Sequence, residues 1–134
     1  MKQLSIVYVN LDTTENTIYF KTIDENFIAI NLSKHTAKEI QECLDQNKNL
    51  ETEQLIKTVL ALGGIVESVQ LIHMGGVWST KVSVQIENFT KSINLDITQG
   101  ICLAIKTGVG FCIHDKTLEK QKIAIEHTTK LALN

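Results

Sequence analysis

One segment constrains the fold more than any other: residues 97–108, ITQGICLAIKTG, read as a helix that is apolar nearly all round. Such a helix has no wet face to turn outward, so the rest of the chain must wrap around it. Thr98 is placed to cap its start and Gly108 to end it. A hydroxyl satisfies free backbone N–H groups, and glycine accepts the left-handed turn that closes a helix. The flanking residues supply wrapping. Ile93, Leu95 and Ile97 alternate with Ser92, Asn94 and Asp96 before the helix, and the brief apolar strand 109–113 (VGFCI) comes after it. Alternation with period two marks a strand with one buried and one wet face.

Similar strand patterns open the chain. Residues 3–11, 16–23 and 26–32 are rich in β-branched and aromatic side chains and are separated by turn clusters at 12–15 and 24–25, which predicts an antiparallel meander. From Ser33 the period changes. Ala37, Ile40 and Leu44 recur at helical spacing behind Ser33 or Thr36 as N-cap, and Asn47-Lys48-Asn49 breaks that helix. A second helix begins near Thr52, with Leu55, Ile56, Val59, Leu60 and Ala61 as its apolar stripe, and stops at Gly63-Gly64. Residues 65–73 and 77–87 flank Met74-Gly75-Gly76 as a hairpin. After the central helix, a short polar helix over 116–122 precedes a tail, 124–134, that reads as an edge strand or an arm on a partner. The expectation is an α+β fold: one compact domain over 1–134, with a mainly antiparallel sheet and three to four helices.

Composition narrows the function classes. At 134 residues and 43% hydrophobic, the chain can hold a core unaided. Its thirteen cations are all lysine and its formal net charge is −2, so nucleic acid is a possible partner but not one that charge favours. Without arginine it lacks the planar fork suited to bidentate phosphate recognition. No apolar stretch approaches the roughly 20 residues of a membrane helix, and no signal-peptide pattern opens the sequence, so a cytoplasmic protein off the membrane is expected. Cys43, Cys102 and Cys112 are odd in number and widely spaced. They read as reduced, buried thiols, not nucleophiles.

The stretch from Asp96 through Gly108, continued by Val109-Gly110-Phe111-Cys112-Ile113-His114-Asp115 and by Leu118-Glu119-Lys120, resembles the C-terminal signature of the bifunctional nuclease (BFN) domain family. In that family a strand leads through Arg-Pro-Ser-Asp-Ala into an apolar helix ending in Lys-Thr-Gly, and then come a short strand and an acidic-basic helix. The upstream order of elements fits as well, so the resemblance covers about residues 1–123 and is to a divergent member of bacterial type. It implies an α+β fold that usually self-associates, in a family credited with cleaving DNA and RNA. Lys106, Thr107 and Gly108 match the helix end. Phe111, Asp115, Leu118 and Glu119 match the short strand and the helix beyond it.

The departures fall on residues with chemistry. Asp96-Ile97-Thr98-Gln99 stands where the pattern has Arg-Pro-Ser-Asp. The glutamate expected early in the first helix falls at Thr36, and the Thr-His pair opening the second appears as Thr52-Glu53. An amide such as Gln99 binds hard cations weakly and is no base near neutral pH. The resulting expectation is a binding or regulatory module with weak or no nuclease activity, because the family's polar positions carry other groups. One alternative is an active nuclease that uses Mg²⁺ or Mn²⁺ held by Asp96, Asp115 and Glu119, with Lys106 on the phosphate. The other is a structural homo-oligomer whose tail completes a neighbour's sheet.

Each site residue also has a plainer reading. Asp115 is placed to N-cap the helix KTLEKQK, which competes with a metal cluster of His114, Asp115 and Glu119. His35, His73 and His127 lack zinc-ligand spacing. Gly108-Val109-Gly110 comes after a helix and lacks a third glycine, so it reads as a helix stop and turn. Met74 and Trp78 form either a recognition tip or a cap on the sheet edge. Lys34 and Lys38 lie near Glu39 and Glu42, as on a solvated face.

Overall fold

The computed structural model describes residues 1–12, 14–46 and 50–123. Strands β1 (Lys2–Leu11), β2 (Asn16–Thr22) and β3 (Phe27–Asn31) form the expected antiparallel meander. Helices α1 (Lys34–Leu44) and α2 (Leu50–Ala61) lead to a second meander of β4 (Gly64–Met74), β5 (Val77–Ile86) and β6 (Phe89–Asp96). Then come α3 (Ile97–Thr107), β7 (Phe111–Ile113), α4 (Asp115–Gln121) and β8 (Lys122–Ile123). The result is an α+β fold with an eight-stranded sheet in the order β6-β5-β4-β7-β1-β2-β3-β8.

β7 joins the two meanders. It runs antiparallel to β1, with Lys2 opposite Ile113, and parallel to β4, with Val69 opposite Phe111. That pairing is the parallel exception in a mainly antiparallel sheet. Ile113 is fully buried and Phe111 meets Phe20 edge to face, with ring centroids 5.2 Å apart. Such an aromatic contact adds to the burial energy of both rings.

One face of the sheet is covered by helices. α1 lies on β1 and β2, while α3 touches α1, α2 and β4 to β6. Residues 100–104 of α3 are buried, as an apolar helix requires. They meet Phe20, Ile40, Val69, Leu71, Val82 and Val84 in one core. Among the described residues, no helix is long and apolar enough to cross a membrane.

Several local expectations need correction. Asp96, not Thr98, caps α3: its carboxylate accepts from the Gln99 N–H, and Ile97 belongs to the helix instead of the strand. Asp115 does not cap α4. The cap is His114, whose Nδ1 accepts from the Lys116 N–H, so the helix starts one residue earlier than expected. In α2, Leu60 and Ala61 face outward, and the buried side is Thr52 and Val59 with Leu55 and Ile56 beside them. Val109 and Gly110 precede β7 without joining it. The Asn47-Lys48-Asn49 break, Thr13 of the first turn cluster and the tail 124–134 with His127 lie outside the described residues. Ser33 caps α1, and Gly108 closes α3 at φ 71°, where a side chain would strain the backbone.

α3 is seated through a single close approach. A Cβ on Gly100 would lie 1.9 Å from Thr80 Oγ1 and 2.5 Å from Thr80 Cβ. Thr80 cannot give way cheaply. It is buried, and its hydroxyl lies 3.0 Å from the Leu95 carbonyl and 3.3 Å from that of Asp96, donating at the β6–α3 junction. Gly100→Ala is therefore expected to destabilise the protein by about 2 kcal/mol, the usual scale of core overpacking. Chemical denaturation checks this: an unchanged midpoint would show that α3 is not seated against Thr80.

Candidate functional site

The start of α3 is where the polar positions singled out by the family resemblance meet. Asp96 ends β6 and turns its carboxylate onto the Gln99 N–H at 2.8 Å. One residue into the helix, the Thr98 hydroxyl donates to Thr36 Oγ1 at 3.3 Å. Thr36 sits in the first turn of α1, where its N–H donates to Ser33 Oγ at 3.1 Å and its hydroxyl accepts from Ser33 at 3.0 Å. Beside this junction a cleft of about 340 Å³ opens between α2, the end of β6 and α3. Its lining is Glu51, Thr52, Gln54, Leu55, Thr58, Leu95 and Gln99.

Thr36 and Thr98 therefore touch, and Thr52 and Gln99 share a cleft, although they are far apart in sequence. The arrangement can donate and accept hydrogen bonds and offers Leu55 and Leu95 as apolar surface. Its hydroxyls and amides have no proton to exchange near neutral pH. The acid in the lining is Glu51, which is exposed.

The four residues proposed for catalysis are dispersed. Lys106 lies in the last turn of α3, roughly 15 Å along the axis from Asp96 at 1.5 Å per residue. Asp115 pairs with the Met1 amino group at 3.3 Å, and Glu119 with Lys122 Nζ at 3.1 Å. β6 and β7 are separated by β5 and β4, so Asp96 and the residues just after β7 stand roughly 14 Å apart at the usual strand spacing. Oxygen ligands must come within about 2.0–2.6 Å of Mg²⁺ or Ca²⁺-sized ions. Asp96, Asp115 and Glu119 do not fit a shared divalent ion. More broadly, no group of three or more His, Cys, Asp or Glu among the described residues is placed to hold a metal.

No protein-family model matches the chain, and no curated protein matches it. The site must be read from its own chemistry.

Glu51, Gln54 and Thr58 had a signal in the sequence that the apolar stripe of α2 obscured. They recur at spacings of three and four, which puts them on one helix face. The Thr58 hydroxyl donates back to the Gln54 carbonyl at 2.9 Å. His73 stacks obliquely on Trp78 with ring centroids 4.8 Å apart, Met74 is exposed, and His35 pairs with Glu39 at 2.7 Å.

Two of the three thiols are buried as expected, those of Cys43 and Cys102, whereas Cys112 in β7 is only half-buried. Cys43 of α1 and Cys102 of α3 adjoin within the core. Burial, reinforced by a hydrogen bond with Cys43, pushes the Cys102 thiol above its ordinary value, and burial does the same for Cys112. A thiol that stays protonated when folded favours the fold fully below the unfolded thiol's value. That contribution is lost as pH climbs from there towards the raised value. Cys43 and Cys102 are expected to resist an aromatic disulfide reagent at pH 8 until the protein unfolds. Rapid labelling of either in the folded protein would contradict the packing of α1 on α3.

Proposed function

We propose that this chain is a BFN-like domain that works as a binding or regulatory module, with weak or no hydrolytic activity. The observation that carries the reading is the meeting of Thr36 with Thr98 and of Thr52 with Gln99 around the start of α3. Of these, Thr36 and Gln99 stand where the family resemblance expects a glutamate and an aspartate, so a hydroxyl and an amide take the place of two carboxylates. Hydrolysis of a phosphodiester requires an activated water and stabilisation of developing negative charge. The groups at this site supply hydrogen bonds and apolar contact, which are the elements of recognition.

A divalent cation, if the family's chemistry were retained, would generate hydroxide and screen the phosphate. The donor set described above does not fit one. The free thiols of Cys43, Cys102 and Cys112 suit a reducing compartment such as the cytoplasm.

Purified protein incubated with single-stranded and duplex substrates in Mg²⁺ or Mn²⁺ is expected to show no cleavage above an EDTA control. Asp96→Ala is expected to destabilise the fold by about 1 kcal/mol, as loss of an N-cap does, while Asp115→Ala leaves the substrates uncleaved as before. Metal-dependent turnover abolished by either substitution would establish the nuclease and refute the reading.

A further inference from the structure

Among the described residues, β6 is a long free edge of the sheet, and its geometry is self-complementary. Six of its eight residues are exposed. Its neighbour β5 is joined to it by the two-residue turn Glu87-Asn88, with Ile86 opposite Phe89. In such a turn the closing pair exchanges both backbone bonds, and bonded pairs then alternate along the ladder. Phe89, Lys91, Ile93 and Leu95 thus bond inward to β5. The N–H and C=O groups of Thr90, Ser92 and Asn94 point away from the sheet. No register shift interrupts β5 and β6, so this phase holds along the strand.

Side chains sort in the same way. Leu95 lines the cleft beside α2 and α3, and Phe89, an even number of residues away, points to that helix-bearing face. Phe89 is a large aromatic left 64% exposed.

We infer that β6 pairs antiparallel with β6 of a second copy of this chain, and that Phe89 of each copy enters the α2–α3 cleft of the other. A twofold axis perpendicular to the sheet preserves faces, so residues of like parity must meet. With Ser92 on the axis, Thr90 lies opposite the partner's Asn94 and the outward backbone groups of both strands are bonded. On the helix-bearing face, Phe89 then lies opposite the partner's Leu95, at the apolar wall of the cleft. Lys91 lies opposite the partner's Ile93, one diagonal step from the partner's Leu95 and within reach of the partner's Glu51 at the cleft mouth. Neither Lys91 nor Glu51 takes part in an ion pair within one chain among the described residues, so the interface offers each a counter-charge. The two eight-stranded sheets become one.

This deepens the proposed function, resting on its reading of the cleft as a recognition site, and names the occupant as a second copy. Sedimentation of the full chain at tens of micromolar is expected to give twice the 15.0 kDa chain mass. Phe89→Asp should raise the dimer dissociation constant roughly a hundredfold, the scale of a lost interface anchor. Ser92→Pro should give a monomer with an unchanged circular dichroism spectrum, because the N–H it removes faces away from β5.

Ser92→Cys fixes the register without relying on those variants. Directly opposed bonded residues have Cα atoms about 5.5 Å apart, within disulfide range. Diamide should therefore convert Ser92→Cys, but not Ile93→Cys, to a covalent dimer. A monomeric wild-type chain, or equal crosslinking at both positions, overturns the interface. The cleavage assay on the same sample keeps the two ideas apart. A dimer that hydrolyses nucleic acid supports the interface while refuting the functional reading, and an inactive monomer refutes the interface alone.

Discussion

Everything at the functional end of the molecule depends on how closely α3 can approach β5. The missing side chain at Gly100 lets the helix backbone settle against Thr80, and the Thr80 hydroxyl holds the last carbonyls of β6. That contact sets where β6 stops and where α3 starts. It also places Thr98 against Thr36 and Gln99 along the cleft. A bulkier residue would lift the helix and move each of these groups.

The larger architecture was legible in the sequence because it rests on periodicity. The Met74-Gly75-Gly76 turn between residues 65–73 and 77–87 announced the β4–β5 hairpin, and the all-round apolar character of residues 97–108 announced a buried helix. Gly63, Gly108 and the Gly75-Gly76 turn marked their boundaries through left-handed backbone angles. The helix starts were less legible. Ser, Thr and Asp are nearly interchangeable as caps, so Asp96 and Thr98 could not be separated by type alone. His114 takes the capping role through an imidazole nitrogen, a less common acceptor there. The parallel pairing of β7 with β4 has no local signature. It is a relation between strands separated by a long stretch of chain, and three residues are too few to carry one.

The site was half legible for a related reason. Asp96, Lys106, Asp115 and Glu119 were the candidates of the nuclease alternative, charged groups within the stretch that carries the family resemblance. Folding distributes that stretch along a helix, across a strand and onto a second helix, which separates its charges. Thr36, Thr52 and Gln99 are distant in sequence, yet the layer formed by α1, α2 and α3 brings their starts together. The polar face of α2 is hidden in the sequence because Leu55, Ile56 and Val59 interleave with it and dominate the pattern.

β7 has a temporal consequence. Its pairing partners are Lys2 to Leu4 at one extreme of the described chain and Val69 to Leu71 in its middle. Neither meander can acquire its central neighbour until Phe111 has been synthesised, so the native sheet closes late. Contacts spanning so much of the chain slow folding because loop-closure entropy is spent before they form. Until then the inner edges of β1 and β4 stand open, and a ribosome-bound nascent chain must keep two incomplete sheets apart from other strands.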